Sequence, residues 1–153
     1  MANTYTKIYI QIVFTVKGRH SLIKEAFREE LQKYIAGIIL NKKQKLYAIY
    51  CMPDHVHIFV SMNPDVAISD LVRDIKANSS SFINEKKWLD SRFEWQRGFG
   101  AFSYNESLVD TVVNYILNQP EHHKVATFRE EYIEFLEKFN IDFDERYLFE
   151  FIE

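Results

Sequence analysis

The chain has one cysteine, three prolines, four glycines and no long apolar run, and each scarcity closes off a class of protein. A lone Cys51 permits no disulfide framework and suits a reducing, cytoplasmic setting. No stretch approaches the roughly 20 apolar residues of a spanning helix, and Met1-Ala2-Asn3-Thr4 lacks a signal pattern, so no membrane role is expected. The sequons at Asn78 and Asn105 are therefore expected to stay unmodified. No glycine-rich phosphate loop is present, which argues against chemistry driven by nucleotide hydrolysis.

Positive charge is also missing, since the net charge is −3. The deficit is local: from Lys124 to Glu153 there are 4 Lys/Arg against 9 Asp/Glu, while residues 1–123 hold 15 against 13. Within that body, Arg73, Lys76, Lys86, Lys87, Arg92 and Arg97 form one basic group, and Lys42, Lys43 and Lys45 another. Either could follow a nucleic-acid backbone or be an ordinary solvated face. With 153 residues, 47% of them hydrophobic, the chain can bury one sizeable core, and a single domain over 1–153 is expected.

What is present is periodicity. Ile8, Ile10, Ile12, Phe14 and Val16 alternate with polar or small neighbours as a first strand. A helix beginning at Ser21 carries Leu31, Ile35 and Ile39 on one stripe. Lys45–Met52 and His55–Met62 read as a hairpin around Pro53-Asp54, and Ile68–Lys87 as a second helix. Phe93–Tyr104 reads as a fourth strand, with Gly98 and Gly100 allowing a bulge or bend. The order βαββαβ predicts an α+β, ferredoxin-like (RRM-like) antiparallel sheet with helices on one face. Beyond it come an added helix from Leu108 to Leu117, with Ser107 as N-cap, and a C-terminal helix opened by the capping box Thr127-x-x-Glu130. The third helix could lie on its own sheet or a partner's. The aromatic tail, including Phe143, Tyr147, Phe149 and Phe151, is expected to dock.

Chemistry concentrates in Cys51-Met52-Pro53-Asp54-His55-Val56-His57-Ile58. In an extended strand His55 and His57 project to one side while Val56, Ile58 and Val60 enter a core. Two imidazoles on one side of a strand make half of a metal site or of a phosphate-polarising site, or else a pair of surface histidines on a half-exposed sheet. About sixty residues later, Tyr115 and Gln119 lie four apart on a helix, offering a nucleophilic oxygen and a neutral oxygen ligand. Pro120 removes a backbone donor and predicts a helix end or kink near Gln119. His122 and His123 then either approach metal or phosphate or form a pair at the helix end.

The Met52–His57 strand, the Tyr115-x-x-x-Gln119 helix and the stretch Phe93–Ser103 between them resemble the single-tyrosine HUH transposases of the insertion-sequence 200/605 family. REP-associated tyrosine transposases are related to these. The resemblance runs in order from Tyr5 to about Phe139. It implies a metal-dependent enzyme that cleaves and rejoins single-stranded DNA bearing hairpin ends through a 5′-phosphotyrosine. Tyr115 would be the nucleophile, and His55, His57 and Gln119 would hold Mg²⁺ or Mn²⁺. It also implies a homodimer in which Tyr115 of one chain can serve the histidines of the other. Arg73, Lys76, Arg92 and Arg97 are candidate DNA contacts, and Phe99, Phe102 and Tyr104 could stack on bases. A domesticated REP-type or regulatory DNA-binding protein, an RRM-like RNA binder and a replication-initiator nickase are the rival readings.

Overall fold

The computed structural model describes residues 3–18 and 22–149; Ser21 and Phe151 lie outside the described residues. Strands β1 (Tyr9–Thr15), β2 (Lys45–Cys51), β3 (His55–Ser61) and β4 (Gly100–Tyr104) form an antiparallel sheet in the order β2-β3-β1-β4. Helices α1 (Glu25–Asn41) and α2 (Ile68–Lys86) make the two crossovers, so the ferredoxin-like βαββαβ core is as expected. Beyond β4 follow α3 (Val109–Leu117), the four-residue α4 (Gln119–His122) and α5 (Phe128–Lys138). Among the described residues no helix is long and apolar enough to cross a membrane.

Register decides which side chains meet. Val13 pairs with His57, Thr15 with His55 and Gln11 with both Phe59 and Phe102. Directly opposed residues share a face, so these side chains stand together on one side of the sheet. Ile12 and Phe14 take the other side with Val56 and Ile58, and join Leu31, Ile35, Ile39, Leu71 and Ile75 from α1 and α2 in the main core.

The expectation of helices on one face covers only half of what is built. All seven residues of β1 are buried, because the histidine face is covered as well. Helix α3 lies on β2 and β3 of its own sheet, closing a second core of Tyr9, Ala48, Phe59, Val112 and Ile116. Helix α5 covers the other end, where Phe135 stacks on Phe102 with ring centres 5.0 Å apart.

Two local details differ from the sequence reading, the extent of the fourth strand and the cap at Ser107, and the others agree with it. The fourth strand is broken: Gln96 N bonds Thr15 O and Lys17 N bonds Glu94 O, and then Gly98, at φ +85°, turns the chain before the ladder resumes at Gly100. Gly100 itself must be a glycine, since a Cβ there would sit 2.7 Å from the Tyr132 hydroxyl. Ser107 does not cap α3; it lies in a 3-10 turn, Glu106–Leu108, and its hydroxyl donates to Asn105 Oδ1. The helix break before Pro120 falls at Asn118, and the Thr127–Glu130 capping box forms in both directions.

Candidate metal and nucleophile centre

His55 and His57 are 1% and 0% exposed, and each ring is oriented through Nδ1. His55 Nδ1 lies 2.7 Å from Asp54 Oδ1, the carboxylate that fixes this nitrogen as the donor. Burial opposes the Asp54 charge most strongly, but the His55 hydrogen bond, the attraction of His55 and His123 and a backbone bond together outweigh it and hold the carboxyl below its usual range. His57 Nδ1 lies 2.8 Å from Gln11 Oε1, whose amide nitrogen donates to the Tyr104 hydroxyl at 2.9 Å. That second bond sets the amide so that its oxygen accepts from the ring. Both Nε2 lone pairs are thereby directed inward.

They meet oxygens. His57 Nε2 is 3.1 Å from Glu131 Oε1, and His55 Nε2 is 3.2 Å from Gln119 Oε1 and 3.8 Å from Glu131 Oε1. His123 Nε2 reaches the same two oxygens at 3.0 and 3.3 Å. Acceptors facing acceptors repel unless a cation lies among them, as a proton or a metal ion. Burial pushes the His57 imidazolium down despite the attraction of Glu131, so a proton is disfavoured on that ring. Candidate ligand atoms of His55, His57 and Glu131 all lie within 4.8 Å of one another. Two neutral imidazoles, a carboxylate and an amide oxygen fit a divalent ion.

The second oxygen of Glu131 faces the tyrosine. Tyr115 donates its hydroxyl proton to Glu131 Oε2, and Gln119 Nε2 donates to the same atom at 2.9 Å. The Tyr115 ring sits edge-on to His57, with centres 6.1 Å apart, and is stacked on His122 at 4.3 Å. Burial and the Glu131 charge raise the Tyr115 pKa far above the ordinary phenol value. Burial works against ionised Glu131, yet His57, His123 and His55 hold its carboxyl well below the usual range. Burial likewise opposes the His123 imidazolium, but its bond and attraction to Glu131 lift its pKa above that of an ordinary histidine.

The structure thus brings together four residues expected from sequence, His55, His57, Tyr115 and Gln119, and with them His123, one of the two histidines whose place the sequence left open. Glu131, which bridges them all, was missed. Its signal is its place on α5: three residues after Phe128 and one before Tyr132, both buried, it is a carboxylate on an apolar stripe. The four basic candidates lie elsewhere. Arg73 is exposed and paired with Asp70 at 3.1 Å and Asp74 at 3.6 Å. Lys76 donates to Gln96 O and Gly98 O at 2.7 and 2.6 Å beside Phe14, and burial pushes its pKa down to about 8. Arg92 and Arg97 are exposed in the segment before β4, Arg92 being 3.9 Å from Glu94. Phe102, a stacking candidate, is sealed beneath Phe135 and only 1% exposed.

Comparison with known proteins places the chain rather than its individual site residues. The ISDra2 transposase TnpA of Deinococcus radiodurans is 24% identical over 115 residues, covering 71% of this chain and 81% of that protein. A solved structure of a proposed Deinococcus radiodurans transposase superposes with a TM-score of 0.61 at 21% identity, covering 76% of this chain and 94% of that one. A REP-associated tyrosine transposase bound to a REP hairpin also gives 0.61, at 20% identity, covering 79% of this chain and 72% of that one. The profile of the family described as "Transposase IS200 like" matches residues 4–119, well over half of the sequence. The chain belongs to the IS200-like transposase family.

Proposed function

We propose that this chain cleaves and rejoins single-stranded DNA through a covalent bond between Tyr115 and a 5′ phosphate. A divalent cation would be held by His55, His57, Glu131 and Gln119. The observation that carries this reading is the split use of Glu131, with Oε1 beside the histidine lone pairs and Oε2 accepting from the Tyr115 hydroxyl. When bound, the cation supplies charge withdrawal from a non-bridging phosphate oxygen and alignment of the scissile bond. Phosphate chemistry suits Mg²⁺, and two imidazoles suit Mn²⁺ by affinity.

The chain's own residues do the rest. Asp54 and Gln11 hold the imidazoles in the metal-binding tautomer. Glu131 and His122 hold the Tyr115 ring; its hydroxyl proton passes to Glu131 Oε2 as the oxygen attacks phosphorus, and the 3′ oxygen leaves as its bond to phosphorus breaks and takes a proton from water. The ester energy is kept in the tyrosyl link, so a second 3′-hydroxyl can reverse the step and join strands. The solved relative bound to a REP hairpin supports DNA with a hairpin as the partner. A homodimer belongs to the same proposal. Because one chain supplies every residue of the site, each chain is assigned its own Tyr115.

The test uses single-stranded oligonucleotides from both flanks of the coding sequence, incubated with Mn²⁺ or Mg²⁺. Mass spectrometry should find a DNA adduct on Tyr115, and Tyr115→Phe should form none while keeping its fold and its DNA binding. Undiminished cleavage by that variant would overturn the assignment, whereas the wild-type adduct excludes a binding-only protein.

A further inference from the structure

The chemistry proposed above leaves one feature beside Tyr115 unused. A cavity of about 320 Å³ opens between α3, α5 and the turn after α4. Its size is at the low end of ligand pockets, which run from about 300 to 1,000 Å³, and suits one flat ring system. The Tyr115–His122 stack contributes one side, Val125 and Phe135 add apolar wall, and Tyr104 lies at the sheet. The Tyr104 hydroxyl accepts from Gln11 and keeps its own proton to donate. Glu134 lines the cavity too, close enough for its charge to act on Tyr115.

Hydrogen bonding selects the occupant. Glu131 and Glu134 border the space together with Lys138, so its charge is mixed, and an amino group finds carboxylate acceptors there. Aromatic and apolar walls favour a π-face. We propose that this cavity takes one unpaired nucleobase with an exocyclic amino group, from a nucleotide next to the phosphate that Tyr115 attacks. The proposal rests on the DNA-cleaving reading above. Thymine, which lacks that amino group, fits poorly.

The experiment scans an abasic residue through the flank oligonucleotides in the presence of Mn²⁺. Removing one base beside the cut should slow cleavage about tenfold, the loss expected for one stacked base. Thymine at that position should behave like the abasic site. Thr111→Trp and Val125→Trp each place an indole at the cavity from an exposed position, Val125 being 87% exposed. Both variants should cut the unmodified oligonucleotide at the abasic rate and show no further abasic penalty. Fluorescence anisotropy with Tyr115→Phe should rank the same oligonucleotides in the same order without any chemistry. Equal cutting and equal binding of abasic and intact DNA would overturn the pocket, as would filled variants that behave like wild type. Failure of the parent reading looks different: no Tyr115 adduct forms with any oligonucleotide, and the anisotropy scan still decides the pocket.

Discussion

At the scale of single residues, Glu131 concentrates the site's energetics. Glu131→Gln keeps the shape and removes the charge, so metal affinity should fall by about 10- to 100-fold or more, read by isothermal titration with Mn²⁺. Asp54→Ala frees the His55 ring and should lose affinity within that same range, with the tyrosine untouched. Unchanged affinity in both variants would place the ion elsewhere. Acid sensitivity of the metal-free protein follows from the same carboxylate. Its folded pKa is depressed, so its stabilisation is present above the unfolded value near 4.3 and is lost as pH falls through the folded value. His57 and His123 shift in opposite senses and oppose each other around neutral pH. The urea midpoint in chelator should therefore drop more from pH 4 to pH 2 in wild type than in Glu131→Gln, since that interval lies below the unfolded value. His55 and His57 were legible in sequence because a period of two fixes their side. Glu131 was not, because a carboxylate in an acidic helix reads as solvated until the sheet beneath that helix is known.

At the scale of elements, the sequence marked each helix and strand of the core, and its errors have local causes. The fourth strand reads as starting at Phe93 with a bend allowed at its glycines; Gly98 instead ends the first stretch outright, the ladder resumes only at Gly100, and Lys76 satisfies the carbonyls left over. Lys76 was a candidate for DNA phosphate, and its structural place shows how a half-buried lysine is mistaken for a free one. The close approach of α5 to β4 is a stronger constraint. Gly100→Ala forces a Cβ against the Tyr132 ring and hydroxyl, and overpacking of this kind costs about 1–3 kcal/mol. Urea denaturation should show that loss, and because α5 carries Glu131, metal affinity should fall with it. Loss of stability without loss of affinity would mean that α5 moves as a rigid unit.

At the scale of the whole molecule, the seat of α3 bears on whether two chains share a site. Periodicity could show that α3 has an apolar stripe, but not whose sheet the stripe covers. The structure seats it on its own chain, with Val112 and Ile116 against Ala48 and Phe59. Mixing Tyr115→Phe chains with His55→Ala/His57→Ala chains tests the consequence. If each chain serves itself, the mixture stays inactive even after denaturation and co-refolding; restored cleavage would establish exchange of Tyr115 between chains.

The order of the site along the chain sets a schedule. By Leu117 a growing chain has produced both histidines and the tyrosine, but Gln119, His123 and Glu131 are still to come. The carboxylate that ties the histidines to the tyrosine arrives only with α5, the last α-helix among the described residues. Domains fold as their segments leave the ribosome, so the sheet can form well before the centre on its surface is complete. In the reading proposed above, a product terminated between Leu117 and Glu131 carries Tyr115 without the group that holds it in place.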